Sequence, residues 1–209
     1  KAVADSGAKA NLSRAVANPM GMAVDKLPSI KEAEDSIRLY NGAENGRIII
    51  DASIHAEYTS NEETVRYVAD MAKAMRVRMH VHLSETKGEH EECKERHAGM
   101  TPAQYFNACG IFDVPAIAAH CVWCEGEDFD ILKEKGVTVA SNPVSNLKLA
   151  SGICNVTEFL RKKVNLALGT DSVASNNNLS FFEEMKTLAI IGKVREQDPT
   201  VITPKDALA

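Results

Sequence analysis

The sequence predicts an α/β fold built on parallel strands, and three observations support this fold class. Short apolar runs alternate along the chain with longer segments that have a helical pattern. Several of these runs are almost continuously apolar, as is typical of parallel strands covered on both faces. Polar side chains follow the ends of several separate strands, a distribution that favours a (β/α) barrel. The competing architecture, an open doubly wound sheet that binds a dinucleotide, lacks its GxGxxG signature after an early strand.

Six short apolar runs bounded by polar segments are predicted as strands. They cover residues 9–13, 47–51, 77–83, 115–121, 137–141 and 164–170. A helical segment follows each run, which implies crossover connections and hence parallel neighbours. A complete barrel of this kind has eight strands. We therefore expect residues 1–209 to form a single, incomplete domain, a partial (β/α)8 TIM barrel.

The helices are predicted from capping signals and apolar stripes. Ser29, with Glu32 three residues later, has the spacing of a capping box and opens the first helix. Ser60 or Asn61 is expected to cap the second. The predicted helices cover residues 29–40, 60–75, 86–97, 101–109, 126–135, 155–163 and 179–196.

Composition narrows the class of protein. The chain has 209 residues, of which 44% are hydrophobic and 25% charged, as in ordinary globular domains. A formal net charge of -5 offers no basic face for nucleic acid. No apolar run approaches the roughly 20 residues needed to span a bilayer, so we expect no membrane partner. No secretory signal pattern occurs in this segment, and the expected location is the cytoplasm.

Five scattered cysteines fit reduced cytosolic thiols better than a disulfide framework. Cys121 and Cys124 have CxxC spacing, which is used for redox chemistry or zinc. No second CxxC accompanies this pair, and Cys121 lies in an apolar run. We therefore predict a structural role for both, since a buried cysteine behaves as a small hydrophobic residue.

Residues 79–86, MHVHLSET, carry the first candidate site. On a strand His80 and His82 point to the same side, with His82 nearer the carboxyl end. Glu85 follows in the loop and can reach the same space. An imidazole suits a divalent metal and a nearby carboxylate suits proton transfer. From these residues alone, a pair of hydrogen-bonded core histidines is an equal alternative.

Two further strand ends carry candidate residues. His120 ends the run PAIAAHCV at 115–122, and Asp171 follows LALGT at 166–170. A lone histidine in such a run is more often structural, whereas a carboxylate at a strand end can ligate a metal and accept a proton. The Asn- and Ser-rich loop after Asp171 can cap the next helix or contact a ligand. The coincidence of these residues at one end of the strands indicates a catalytic site.

At these residues the chain resembles the amidohydrolase superfamily, in particular the branch of 5′-methylthioadenosine/S-adenosylhomocysteine deaminases and triazine hydrolases. The resemblance spans nearly the whole chain in family order. The matching segments are GAKANLSR (7–14), SIHAEYTSNEE (53–63), HVHLSET (80–86), AAHCVW (118–123), SNPVSNLKLASG (141–152) and LGTDSVASNNNLSFFEEM (168–185).

The resemblance implies a role for each strand-end residue. His82 and Asp171 would be metal ligands, and Asp171 would also take a proton from the attacking water. Glu85 would transfer a proton to a ring nitrogen of the substrate and so contact it. His120 would orient or polarise the attacking oxygen.

The resemblance also implies two residues that bind substrate. Arg14 matches a substrate-contacting arginine, and His55 matches a substrate-contacting histidine. Ile54 precedes His55 where the family usually has proline. A second arginine of the nucleoside deaminases falls near Lys26, and lysine does not replace arginine in a bidentate contact.

The activity implied by the resemblance is metal-dependent hydrolytic deamination of an adenosine-type nucleoside or a related amino-heterocycle. The implied cofactor is one divalent metal, with zinc expected and iron or manganese as alternatives. A triazine-type hydrolase that releases chloride or an amine is the alternative function. A third hypothesis is that these 209 residues alone are inactive.

The resemblance further implies that the chain covers roughly strands 3 to 8 of the barrel. The first two strands, the HxH ligand pair of the first strand and the small β-sandwich domain of the family would then be missing. The expected partner is a small heterocyclic substrate, and a homo-oligomer is a further expectation left open.

Overall fold

The computed structural model describes residues 2–208. Within that range six strands form one sheet, in which the order of the strands is their order along the chain. The strands are β1 (Ala10–Val16), β2 (Ile48–Ile54), β3 (Met79–Leu83), β4 (Ala116–His120), β5 (Thr138–Ser141) and β6 (Asn165–Leu168). Every pair whose register is defined is parallel. The predicted α/β class with parallel strands is therefore confirmed.

Helices connect the strands, as crossover connections require. In the described range they are α1 (Ala2–Ser6), α2 (Pro28–Tyr40), α3 (Ala43–Gly46), α4 (Glu62–Met75), α5 (Lys87–Arg96), α6 (Pro102–Ala108), α7 (Asp128–Glu134), α8 (Pro143–Lys148), α9 (Val156–Lys162), α10 (Val173–Asn176), α11 (Phe181–Glu196) and α12 (Pro204–Leu208). The seven predicted helices all occur, with bounds that differ by one or two residues at most ends. The helices α1, α3, α8, α10 and α12 were not predicted.

The first strand is longer than predicted. β1 continues through Ser13 and Arg14 to Val16, and its register with β2 runs from Ala10 opposite Ile48 to Val16 opposite Ile54. The prediction stopped at residue 13 because the sequence turns polar there. Backbone pairing continues because the side chains of Ser13 and Arg14 are exposed. Their polar groups stay in water, so the strand carries no desolvation penalty for them.

The predicted capping box at Ser29 is wrong. Helix α2 begins at Pro28, Leu27 is its N-cap, and no side chain caps it. Proline suits the first turn because its missing N–H would have no intrahelical acceptor there. Ser29 lies inside the helix and is buried. The N-cap of α4 is Asn61, one of the two residues predicted for this position. Its side chain accepts a hydrogen bond from the Thr64 N–H.

The chain divides into two compact units, and the first comprises the described residues up to Val81 together with Phe106–Ala116. Helix α2 packs its buried side chains against β1 and β2. Helix α4 buries Val65, Val68 and Met71, which lie on one face at helical spacing. This unit therefore has a core of its own between helices and parallel strands.

The second unit comprises His82–Tyr105 and the described residues from Ile117 onwards. Its core includes Phe129 and Phe159, whose rings meet edge to face with centroids 4.8 Å apart. Burial of one such side chain contributes about 1.5–3 kcal/mol to folding. The strands β5 and β6 pair from Thr138 opposite Asn165 to Ser141 opposite Leu168. None of the helices in residues 2–208 is long and apolar enough to cross a bilayer.

Candidate functional site

His120 lies at the centre of the polar side chains of the second unit. It ends β4, is 2% exposed, and has a φ of 72°, which is unusual for a residue with a side chain. Its Nδ1 lies 2.9 Å from the side-chain oxygen of Asn146 and 3.3 Å from the amide nitrogen of Asn142. The shorter contact favours a proton on Nδ1 that is donated to Asn146. Nε2 is then the ring nitrogen left for other contacts.

Glu85 faces that second ring nitrogen. Its Oε2 is 3.6 Å from Nε2 of His120, and its Oε1 accepts a hydrogen bond from Oγ of Ser151 at 3.3 Å. The backbone N–H of Glu85 donates to Oε2 of Glu89 at 2.9 Å. Ser84, directly before it, has a φ of 47° and turns the chain out of β3. Glu89 therefore fixes the backbone of Glu85 and Ser151 fixes its Oε1, while its Oε2 faces the imidazole of His120.

The ring of His82 stacks on the ring of His120. The two centroids are 5.5 Å apart and the planes are inclined by 26°. Burial alternates along β3, so His82 is only half-buried while its neighbours Val81 and Leu83 are buried. His80 is half-buried like His82, which is consistent with the prediction that the two histidines point to the same side of the strand.

Asp171 is fixed by three donors at the end of β6. Its Oδ2 accepts hydrogen bonds from Oγ of Ser145 and Oγ of Ser175, both at 2.6 Å, and its Oδ1 accepts one from the Ser172 N–H at 2.7 Å. Burial alone would raise the pKa of this carboxyl. The three hydrogen bonds, together with a smaller effect of His120, outweigh burial and lower its pKa. Asp171 is therefore a carboxylate at neutral pH, and His120 lies near enough to contribute to lowering the pKa of its carboxyl group.

The structure thus brings four predicted residues into one cluster: His82, Glu85, His120 and Asp171. Their assigned roles in metal binding and catalysis remain predictions.

Arg14 and His55, the predicted substrate contacts, belong to the first unit. Arg14 lies on β1, is exposed, and donates from Nε to Oε2 of Glu32 at 2.6 Å and from Nη1 to the Ala15 carbonyl at 2.8 Å. His55 directly follows β2, and its ring meets the ring of Tyr58 edge-on at 6.2 Å. Their contact with a substrate remains a prediction.

The donor set of the cluster fits a zinc-type ion in chemistry. Neutral imidazole and carboxylate are both zinc ligands, and hydrogen-bonded carboxylates of the kind seen at Asp171 are typical of such sites. His82 and Asp171 are the two residues assigned to this role. Across residues 2–208, however, no three of the cluster's donor atoms lie within 4.8 Å of one another. Within the described residues, the cluster therefore does not bring three such donors together.

The sequence interpretation missed the residues that support the cluster. Ser145 and Asn146 lie on α8, which begins directly after β5, and they contact Asp171 and His120. Their signal was the polar run SNPVSN at 141–146, at another strand end. Ser175 lies in the Ser- and Asn-rich loop after Asp171. The sequence left two roles open for that loop, capping the next helix or contacting a ligand. Ser175 contacts Asp171, and Ser180 caps α11 by accepting from the Glu183 N–H.

The CxxC pair has the environment of structural cysteines. Cys121, Cys124 and Cys154 are buried, free thiols. Burial raises the pKa of Cys121 and raises that of Cys154 to about 12. A hydrogen bond with Cys121, together with burial, places the pKa of Cys124 well above its ordinary value. Protonated, buried thiols are poor nucleophiles and poor metal ligands.

Comparison with known proteins yields matches over the whole chain. The model of the amidohydrolase family matches residues 6–209. A 5-methylthioadenosine/S-adenosylhomocysteine deaminase of Dictyoglomus thermophilum is 43% identical over 208 residues, which are 100% of this chain and 48% of that protein. A 5'-deoxyadenosine deaminase of Methanocaldococcus jannaschii is 44% identical over 179 residues, which are 85% of this chain and 42% of that protein.

A solved structure agrees with these relatives. The crystal structure of an adenosine deaminase from Xanthomonas campestris with bound zinc superimposes with a TM-score of 0.80 and 31% identity. The match covers 86% of this chain and 40% of that one. The chain therefore spans about half the length of the relatives it matches.

Proposed function

Because the chain belongs to the amidohydrolase family, we propose that it forms part of a metal-dependent aminohydrolase that deaminates adenosine-type nucleosides. The observation that carries the proposal is the approach of Glu85 to within 3.6 Å of His120, beside a hydrogen-bonded Asp171. Relatives that are 43% and 44% identical have the names of deaminases of 5-methylthioadenosine, S-adenosylhomocysteine and 5'-deoxyadenosine, which supports the substrate class.

We further propose that β1 to β6 correspond to strands 3 to 8 of a TIM barrel. The parallel order of the strands and the site at their carboxyl ends support this correspondence. The match to about half the length of the relatives is consistent with it. The remaining strands and ligands would then come from outside these 209 residues.

His82 and Asp171 are the residues of this chain that would hold the metal, and zinc fits their nitrogen and oxygen donors. When bound, a zinc ion supplies Lewis acidity that lowers the pKa of a coordinated water to about 7. The support for zinc is the donor chemistry and the zinc present in the related adenosine deaminase. Iron and manganese remain alternatives that metal analysis can separate.

The chain's own residues would then move the protons. Hydrolysis adds water across the C–N bond, so the purine carbon keeps the oxygen and the amino group leaves as ammonia. Asp171, a carboxylate at neutral pH, accepts a proton from the water. Glu85, in its acid form, delivers a proton to the ring nitrogen beside the reacting carbon, which stabilises the tetrahedral adduct. The proton on Asp171 then passes to the amino group, which leaves as ammonia, and Glu85 recovers its proton from the hydroxyl group of the adduct. Nε2 of His120 accepts a hydrogen bond from the attacking oxygen and orients it, since its Nδ1 is engaged by Asn146.

The test is ammonia release by the full-length protein reconstituted with zinc. We expect turnover of 5′-methylthioadenosine, S-adenosylhomocysteine or 5′-deoxyadenosine, and little with aminotriazines or chlorotriazines. Faster release of chloride or amine from a triazine would instead establish the alternative hydrolase. A protein that is folded and zinc-loaded yet inactive on all of these compounds would overturn the proposal. The cytoplasmic location and a homo-oligomer remain predictions; the buried thiols of the second unit support the former.

A further inference from the structure

Glu184 is a buried acidic residue that has no proton-transfer role in the proposed mechanism. It lies on α11 and is 1% exposed. Its Oε2 accepts a hydrogen bond from the Val144 N–H at 3.0 Å, and its Oε1 accepts one from the side-chain amide of Asn176 at 2.5 Å. A buried charge is costly unless hydrogen bonds satisfy it, and these two donors do so.

The two donors belong to the two segments that hold Asp171. Val144 is in the first turn of α8, directly before Ser145, and Asn176 is in α10, directly after Ser175. Ser145 and Ser175 each donate to Oδ2 of Asp171 at 2.6 Å. One carboxylate on α11 thus joins both supports of Asp171.

A third connection reaches the residue before Asp171. The amide of Asn176 also donates to the Thr170 carbonyl at 2.6 Å, while its other hydrogen bond goes to Glu184. Asp171 itself has a left-handed backbone with a φ of 58°. An L residue adopts that conformation only where the surrounding contacts compensate its cost. The hydrogen bonds that extend from Glu184 supply such contacts.

We propose that Glu184 is a positioning residue that holds Asp171 in the orientation needed to bind the metal and accept a proton. Glu184 acts through Ser145 and Ser175 and touches neither substrate nor metal. The inference rests on the role proposed for Asp171. This positioning role differs from a general contribution to packing, because a substitution of Glu184 should change zinc affinity only as long as the carboxylate of Asp171 is present.

The test is zinc affinity and kinetics of the full-length Glu184→Gln protein. Glutamine keeps the size of the side chain, but its amide nitrogen must face an N–H donor, so one of the two hydrogen bonds is lost. We expect the zinc dissociation constant to rise about 10- to 100-fold, the usual effect of losing a group that supports a metal ligand. In zinc-saturated protein, kcat should fall while KM for the nucleoside stays nearly constant.

The matched control is Glu183→Gln on the same helical turn. Glu183 is exposed, and its carboxylate accepts a hydrogen bond from the exposed Asn178 at 2.5 Å. Zinc affinity and kcat should remain as in the wild type. Equal effects of the two substitutions would overturn the inference.

A double substitution separates positioning from packing. In an Asp171→Asn background, Glu184→Gln should have little further effect on zinc affinity, because the carboxylate through which it acts is gone. An equal loss of affinity in both backgrounds would show that Glu184 supports the fold generally, and the inference would fail. This comparison measures the coupling between two residues in one hydrogen-bond network.

The design also separates this inference from the proposed function. If Asp171→Asn itself retains wild-type zinc affinity and turnover, the proposed role of Asp171 fails, and the inference fails with it. If Asp171→Asn loses both and Glu184→Gln behaves as Glu183→Gln, the inference alone fails. Should Glu184→Gln accumulate as unfolded protein, Asn176→Ala decides the question, since it removes one donor to Glu184 and should weaken zinc binding in the same Asp171-dependent way.

Discussion

The Oε2 atom of Glu85 lies 3.6 Å from Nε2 of His120, although Glu85 follows β3 and His120 ends β4. The other oxygen of Glu85 is bonded to Ser151, and the other nitrogen of His120 is bonded to Asn146. Each group therefore has one side fixed by the protein and one side directed at the other group. Such an arrangement suits an acid and a base that act on one substrate from neighbouring positions.

Glu85→Gln should remove proton transfer and leave the metal in place. Glutamine has the same size but neither donates nor accepts a proton in this role, so kcat should fall roughly 10²- to 10⁴-fold. Zinc content, measured by elemental analysis of the full-length protein, should remain at the wild-type ratio. Glu95→Gln, on the exposed face of α5, is the control and should leave both values unchanged. Turnover near the wild-type level in Glu85→Gln would exclude Glu85 from the chemistry.

Ser151→Ala should weaken the hold on the Glu85 carboxylate. The lost hydrogen bond, 3.3 Å long, should cost about 1–1.5 kcal/mol, or about five- to twelvefold in kcat. Zinc content should not change. Thr157→Ala removes a hydroxyl that bonds Glu196 on the surface, and it should leave kcat as it is. If the two alanine variants are kinetically alike, Ser151 does not position Glu85.

Gly169→Ala should destabilise the fold around the site. A Cβ at this position would lie 2.2 Å from Oδ1 of the buried Asn142, whose amide contacts His120. Moving that side chain should cost about 1–3 kcal/mol, seen as a lower urea midpoint, and kcat should fall as well. Gly88→Ala in α5 meets no atom within 4 Å and should be neutral or stabilise by up to about 1 kcal/mol. Unchanged stability of Gly169→Ala would contradict the packing described here.

The buried thiols should resist alkylation in the folded protein. An ordinary thiol has a pKa near 9.0 and is half ionised at pH 9, whereas burial raises the pKa of Cys121 and Cys154 above that value. Since the thiolate is the reactive form, labelling of Cys121, Cys124 and Cys154 should stay slow even at pH 9. Peptide mass spectrometry should find these residues labelled only after unfolding. Rapid labelling of the folded protein at pH 8 would argue against a structural role.

Residues 1–209 alone should bind zinc weakly and show no turnover. His82 and Asp171 are two ligands, and in the described part of the chain no three donors of the cluster converge within 4.8 Å. A structural or catalytic zinc site needs at least three protein ligands. Dialysis against a weak chelator followed by elemental analysis should leave the isolated chain without metal and the full-length protein with it. Stoichiometric zinc in the isolated chain would refute this prediction.

The order of strands and helices was predictable because apolar runs and capping residues act locally. The convergence of His82, His120 and Asp171 was also predictable, since parallel strands bring their carboxyl ends to one edge. Both arguments need only the pattern along the chain and one rule of topology.

The supporting residues were less predictable because their partners are distant in sequence. Ser145, Ser175 and Glu184 have ordinary surface-compatible identities, and only the folded chain shows that they meet around Asp171. The capping box at Ser29 failed for a local reason, since Pro28 can start the helix without a capping side chain. Spacing alone does not distinguish these two helix starts.

The left-handed backbone at Ser84, His120, Cys121 and Asp171 has a consequence for engineering this protein. Glycine would relieve about 1 kcal/mol of backbone strain at each of these positions. Ser84, His120 and Cys121 are buried, however, and removing their side chains would leave a cavity or an unpaired partner that costs more than the strain. Selection for heat resistance alone should therefore keep the residues now present there, so that at His120 thermal durability and the proposed chemistry favour the same side chain.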